Sequence, residues 1–156
     1  MAKKLGKKKI LKKTPKKSAK KKAKMTAAPK KPAKKMDNVV VWFEIPVTNI
    51  ERAARFYSAV LGIKMEVMGI GDSQGAMFPY EMGVASGALI QSNENRPSTM
   101  GSMIYLNGGK DLSVPLSRVL SAGGKVIQEK LEIGENGFMA IFEDTEGNHV
   151  ALHSMS

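Results

Sequence analysis

From residue 38 onward, hydrophobic and polar positions follow one pattern twice over. Val39-Val40-Val41-Trp42-Phe43-Glu44-Ile45 is a β-rich run ending at Pro46, which predicts a strand. Thr48-Asn49-Ile50-Glu51 has the form of a capping box, after which Ile50, Ala53, Ala54, Tyr57 and Leu61 recur at helical spacing until Gly62 closes the helix. Further strands are predicted near 64–68, 75–79 and 85–91. The second round opens with a strand from Met103 to Leu106. An Asp111-led helix follows, carrying Leu112, Leu116, Val119 and Leu120 and stopping at Gly123-Gly124. Strands near 125–131, 137–143 and 148–153 complete it. Pro115 belongs in the first turn of the second helix, where a missing N–H is tolerated.

A constant shift of 62 positions pairs Ile50 with Leu112, Gly62 with Gly124, Gly75 with Gly137, Met77 with Met139, Glu81 with Glu143 and Ile90 with Leu152. Matches at one offset argue for an internal repeat, and the predicted fold class is α+β, built from two βαβββ modules at about 38–92 and 100–154.

Composition divides the chain. Residues 1–36 carry 17 lysines and no acid, whereas residues 37–156 hold 8 Lys and Arg against 14 Asp and Glu, a net charge of −6. The overall +11 therefore comes entirely from the first segment. A Lys/Ala/Pro-rich stretch of this kind buries too little apolar surface to offset the entropy of ordering, which predicts a disordered tail. Its composition resembles the tails of linker histones. With no aromatic side chain to stack on bases, it implies at most sequence-blind, salt-sensitive binding of nucleic acid. Because Met36 directly precedes the first strand and would be a natural beginning, an extension without function is the alternative; attraction to an anionic membrane surface is the weakest reading. The domain of about 120 residues is large enough for one core without staples. The absence of cysteine and of any long apolar run predicts a soluble cytoplasmic protein, nucleoid-associated if the tail acts, with no membrane insertion.

Trp42-Phe43-Glu44-Ile45-Pro46-Val47-Thr48-Asn49-Ile50-Glu51-Arg52-Ala53, with Phe56-Tyr57 and Leu61-Gly62 after it, resembles the opening of a vicinal oxygen chelate module. Ala122-Gly123-Gly124-Lys125-Val126, followed by Phe142-Glu143-Asp144-Thr145-Glu146-Gly147-Asn148, is similar to its closing half. The likeness to this superfamily of glyoxalases, bleomycin-resistance proteins and extradiol dioxygenases covers residues 38–153. It implies paired βαβββ modules whose sheets enclose a cupped cavity, often in homodimers. It does not fix the chemistry.

The superfamily's enzymes hold a divalent metal with His, Gln or Glu on the first and last strands of each module. Carried onto this chain, those positions fall on Trp42 and Met103 (or Ile104) and on Leu89 and Ala151, none of which binds a hard cation. The expectation is therefore no metal and no other cofactor. By strand alternation, Val41, Phe43, Ile45, Ala88, Ile90, Ile104, Leu106, Val150 and Leu152 form the set suited to the helices. The opposite, ligand-facing set is Trp42, Glu44, Leu89, Gln91, Met103, Tyr105, Ala151 and His153. Glu44 and His153 are the candidate acid and imidazole, able to shuttle a proton, orient a ligand or serve structure alone if they meet across the cavity. His149 lies beside a turn and reads as solvated. Gly69 to Gly75 reads as a hairpin loop, Gly108-Gly109-Lys110 lacks the rest of a phosphate loop, and Asp144 to Asn148 suits a β-turn.

Three functional classes follow. The first is a metal-free binder of an aromatic or amphipathic small molecule, as a homodimer. The second is an enzyme, either a divergent glyoxalase-like lyase or one using Glu44 and His153 as acid and base. The third is a nucleic-acid-associated protein acting through its Lys-rich tail.

Overall fold

The computed structural model describes residues 39–156. The expected disordered tail, residues 1–36, lies outside the described residues. The first module comprises β1 (Trp42–Pro46), α1 (Ile50–Leu61), β2 (Val67–Ile70), β3 (Ser73–Met77) and β4 (Ser86–Gln91). The second comprises β5 (Tyr105–Asn107), α2 (Ser113–Val119), β6 (Lys125–Glu132), a 3-10 turn at Gly134–Asn136, β7 (Phe138–Glu143) and β8 (His149–Ser154). Each module folds into a four-stranded sheet, ordered β1-β4-β3-β2 and β5-β8-β7-β6. In both, the first strand runs parallel to the last and the other pairings are antiparallel. Among the described residues, no helix is long and apolar enough to cross a membrane.

Local sequence accounts for the ends of α1, with one difference. Asn49, in extended backbone, is the N-cap, and its side chain accepts from Arg52 N at 2.9 Å. The capping box expected at Thr48 and Glu51 is displaced by one residue because Thr48 is engaged elsewhere, donating from both N and Oγ1 to Glu146. Gly62 ends the helix as expected: it adopts φ 68° and its N–H reaches Ser58 O. In the shorter α2, Ser113 N donates to Asp111 Oδ1 at 2.9 Å and Pro115 sits in the first turn. Leu120, expected on the apolar stripe, lies beyond the helix and is 75% exposed.

The apolar stripe of α1 lies against its own sheet and also reaches the other module. Tyr57 packs edge-on to Phe78 of the first module at 5.6 Å, while Phe56 meets Phe142 of β7 at 5.8 Å. Leu112, Leu116 and Val119 of the α2 segment join the same cluster, as do Ile45 and Leu89 from one sheet and Leu106 and Leu152 from the other. The helix-facing sides of both sheets thus share one core. Each large side chain buried there contributes about 1.5–3 kcal/mol. The opposite face of each sheet consequently turns away from that core.

A turn in the second module clasps the first. Asp144 and Asn148 close the β7–β8 turn through Asp144 N to Asn148 O at 3.0 Å, the β-turn its spacing predicts. The buried Asp144 carboxylate accepts from Tyr57 OH at 2.7 Å, Asn148 Nδ2 at 2.9 Å, Asn148 N at 2.8 Å and Glu146 N at 2.9 Å. Asn148 Nδ2 also donates to Pro46 O at 3.0 Å, tying the turn to the end of β1.

Candidate functional site

Register fixes which residues share each outer face. In a parallel pair, directly opposed residues point to the same side. Glu44 opposes Ala88 and Trp42 opposes Ser86, so these four belong to the outer face of the first sheet. Ile45 opposes Leu89, and both are core. Ile90 faces outward with Gly75, Met68 and Ile70, as the β3 and β2 registers require.

Two expected ligand-facing residues therefore change sides. Leu89 is fully buried in the shared core, and Gln91 turns to the helix, where its Oε1 accepts from Ile50 N at 2.7 Å. Ala88 and Ile90, assigned to the helix side, face outward. The reason is a parity slip. A single-residue shift in a strand sends every side chain to the opposite face. The internal repeat is real, but its offset drifts: 61 relates Ile45 to Leu106, 62 relates Ile50 to Leu112, and 63 relates Leu89 to Leu152. The helix starts bear out the last two values, since Leu112 N donates to Ser154 Oγ at 3.1 Å just as Ile50 N donates to Gln91 Oε1, offsets of 62 and 63. The constant shift of 62 paired Ile90 with Leu152, one residue too far along β4.

In the second module the expected faces stand. Tyr105 opposes Ala151 and Asn107 opposes His153 on the outer side, while Leu106 and Leu152 are core. Trp42 and Tyr105 are 42% and 52% exposed, and Met103, two residues before Tyr105, is also exposed. Ala88 and Ala151 are covered by their neighbours, forming the floors of the two faces.

The positions that correspond to the superfamily's metal ligands are thus Trp42, Ala88, Met103 and Ala151. None offers a lone pair suited to a divalent cation. Among the described residues, no group of three or more His, Asp or Glu is arranged to hold an ion. The side chains present do not fit the metal.

Glu44 and His153 are not brought together. Glu44 Oε1 accepts from Trp42 Nε1 at 3.4 Å, and His153 Nε2 lies 2.6 Å from Asn136 O. Both face away from the shared core, each with a partner from its own sheet or module. The imidazole near Glu44 is that of His149. The two line one pocket of about 190 Å³ with Arg96 and Asn148, at the end of the molecule where the β7–β8 turn meets β1. His149 Nε2 is 3.4 Å from Glu143 Oε2. The signal for this arrangement was present in the alternation 149, 151, 153 along β8, but the pocket that this strand's first residue shares with β1 depends on the clasp between modules.

The clasp's electrostatics were not legible from spacing. The Glu146 side chain has no exposed surface and accepts from Arg52 Nε at 2.7 Å, Arg52 Nη2 at 2.9 Å, Thr48 Oγ1 at 2.7 Å, and Thr48 N and Asn49 N at 3.0 Å each. Burial alone would raise this carboxyl, but the hydrogen bonds from Arg52, Thr48 and Asn49 outweigh it and hold the group at about 2. A carboxylate before the first turn of α1 is also favoured by the helix dipole.

Comparison with known proteins gives the same architecture. Residues 40–72 match the family model described as bleomycin resistance protein-like N-terminal. A glyoxylase-like domain-containing protein from Didymella fabae is 33% identical over 120 residues, covering 70% of this chain and 88% of its own. Glyoxalase I from Zea mays superposes with a TM-score of 0.59 at 22% identity, covering 74% of this chain and 45% of the maize chain. A glyoxalase/bleomycin resistance protein from Albidiferax ferrireducens superposes with a TM-score of 0.56 at 16% identity, covering 75% of this chain and 98% of its own. This chain spans less than half the length of the maize enzyme.

Proposed function

This chain belongs to the glyoxalase/bleomycin-resistance family of the vicinal oxygen chelate superfamily, and on that premise we propose that it binds a small aromatic or amphipathic molecule on the outer faces of its sheets without a metal ion. The observation that carries the reading is the composition of those faces. Trp42 and Tyr105 stand exposed beside the alanine floors at Ala88 and Ala151, with Met103 nearby and Met68 and Ile70 flanking the first sheet. Aromatic walls with few polar groups suit small-molecule recognition. Exposed methionines adapt to varied ligand shapes.

One face of one chain is open. A second copy laid over it would exclude water from the ligand, and the exposed apolar side chains on both faces favour such a homodimer. Glu44 and His153, on separate outer faces, then orient polar groups of the ligand, with any proton transfer requiring a partner other than each other.

Trp42 is the sole tryptophan of the chain, so its emission reports directly on the first face. Titration with a panel of aromatic and amphipathic molecules is expected to quench or shift Trp42 fluorescence, and Ala88→Trp, read by calorimetry, is expected to abolish binding of the same compound. Elemental analysis of the purified protein is expected to find no stoichiometric nickel, zinc, iron or manganese. One tightly held equivalent of any of these overturns the metal-free reading.

A further inference from the structure

A cleft of about 620 Å³ opens between the two modules, walled by inner-face residues of both sheets, Phe43 and Leu106 among them. One wall is aromatic: the rings of Phe43 and Phe78 lie 5.5 Å apart at 42°. Phe43 can lie flat against its sheet because residue 87 is glycine; a Cβ there would fall 2.6 Å from the Phe43 ring. The facing wall comes from the second module, with Leu106 and Val114 lining it. The loop that carries this wall is drawn in by Gly108, where a Cβ would meet Leu112 Cβ at 2.6 Å, and turned by Gly109 at φ 75°. This is the role of the Gly108-Gly109 pair that the sequence left unassigned.

The charged residues lining the cleft are Lys110, Arg118 and Asp111, a net positive set. Arg118 lines it and spends one donor, Nη1, on Val60 O at 3.3 Å, leaving the remaining guanidinium donors available. Among the described residues, no carboxylate lies within ion-pair distance of Arg118 or Lys110, both lining residues. Asp111, the carboxylate of the same lining, is occupied by Lys130 Nζ at 2.8 Å and Ser113 N at 2.9 Å. A volume in the range of small-molecule sites, apolar walls and an uncommitted cation together select an apolar anion.

We propose that the cleft between the modules is a second binding site, for an aromatic carboxylate whose ring lies against Phe43, Phe78 and Val114 and whose carboxylate is held by Arg118. The cleft shares only Ser86 and Asn107 with the outer-face sets, and the proposal stands whether or not those faces bind a ligand.

2-Naphthoate is the probe, measured on the full chain by calorimetry and by methyl chemical shifts. It is expected to shift the methyls of Ile63, Leu106 and Val114 while leaving Ile70 and Ile90 in place, and 2-naphthalenemethanol is expected to bind at least tenfold more weakly. Arg118→Met should weaken naphthoate at least tenfold and leave the alcohol unchanged, an outcome that a purely structural role for Arg118 at the end of α1 would not give. Val114→Phe, at an exposed position on α2, should exclude both compounds, and it decides the matter alone if Arg118→Met does not fold. Shifts confined to Ile70 and Ile90, no binding, or equal affinity for acid and alcohol would each overturn the proposal. Loss of outer-face binding in Ala88→Trp with naphthoate retained marks a failure of one site and not the other.

Discussion

The Glu146 carboxylate, carried on a turn of the second module, forms a two-point ion pair with Arg52 on α1 of the first, at 2.7 Å from Nε and 2.9 Å from Nη2. It also takes the amide protons of Thr48 and Asn49, which precede the helix and have no partner within it. One side chain therefore joins the modules and finishes the start of a helix.

Glu146→Gln keeps the shape and removes the charge. It is expected to lower stability by about 1–3 kcal/mol, the range for hydrogen bonds to charged groups, read as a lower urea midpoint. Arg52 is half exposed, so Arg52→Met is expected to cost less than Glu146→Gln.

The same group makes stability depend on acid. Its folded carboxyl sits at about 2 against an ordinary 4.5, so the unfolded chain binds the proton more readily. The contribution is fully present above pH 4.5 and is lost as pH falls from there through about 2. Glu146→Gln should flatten this segment of a pH–stability curve; an unchanged slope would contradict the assignment.

Tyr57 is fully buried and donates to Asp144 at 2.7 Å. Burial first, and then the neighbouring Asp144 charge, push its phenol well above the usual value. In an alkaline ultraviolet titration, Tyr57 is expected to stay protonated until the protein unfolds. Tyr57→Phe should lower stability by about 1–3 kcal/mol by leaving the buried carboxylate short of a donor.

The corrected register separates two neighbours on β4. Leu89→Ala is expected to cost about 2–5 kcal/mol by opening a hole in the shared core. Ile90→Ala should instead cost less, because its side chain lies half-buried on the face turned away from the helices. A reversal of these two outcomes would restore the original face assignment.

The Lys-rich segment carries its own prediction. Deleting residues 2–35 is expected to abolish retention on a DNA column at low salt and to leave small-molecule binding unchanged, since the remaining domain is acidic. Retention by the shortened chain would place any nucleic-acid affinity in the domain.

Much of the fold was legible because its signals are local. The 3.6-residue spacing from Ile50 to Leu61, the φ 68° that Gly62 alone tolerates, and the β-rich runs around them need only neighbouring residues to read. The site was half legible for the same reason. Alternation placed Trp42, Glu44, Met103, Tyr105, Ala151 and His153 on the outward side, but Leu89 and Gln91 depended on how β4 aligns with β1.

By itself the sequence determined two βαβββ modules, the resemblance to a family, and the absence of metal-binding side chains at the aligned positions, all carried by residue type and short-range period. Only the tertiary structure decided the parity of β4, the different partners of Glu44 and His153, and the pocket that Glu44 shares with His149. It alone revealed the clasp of Glu146 on Arg52 and the cleft beneath Arg118. These depend on chain segments far apart in sequence being brought to one point, and the insertions that move the repeat offset from 61 to 63 leave no mark in local periodicity while reversing which face a strand presents.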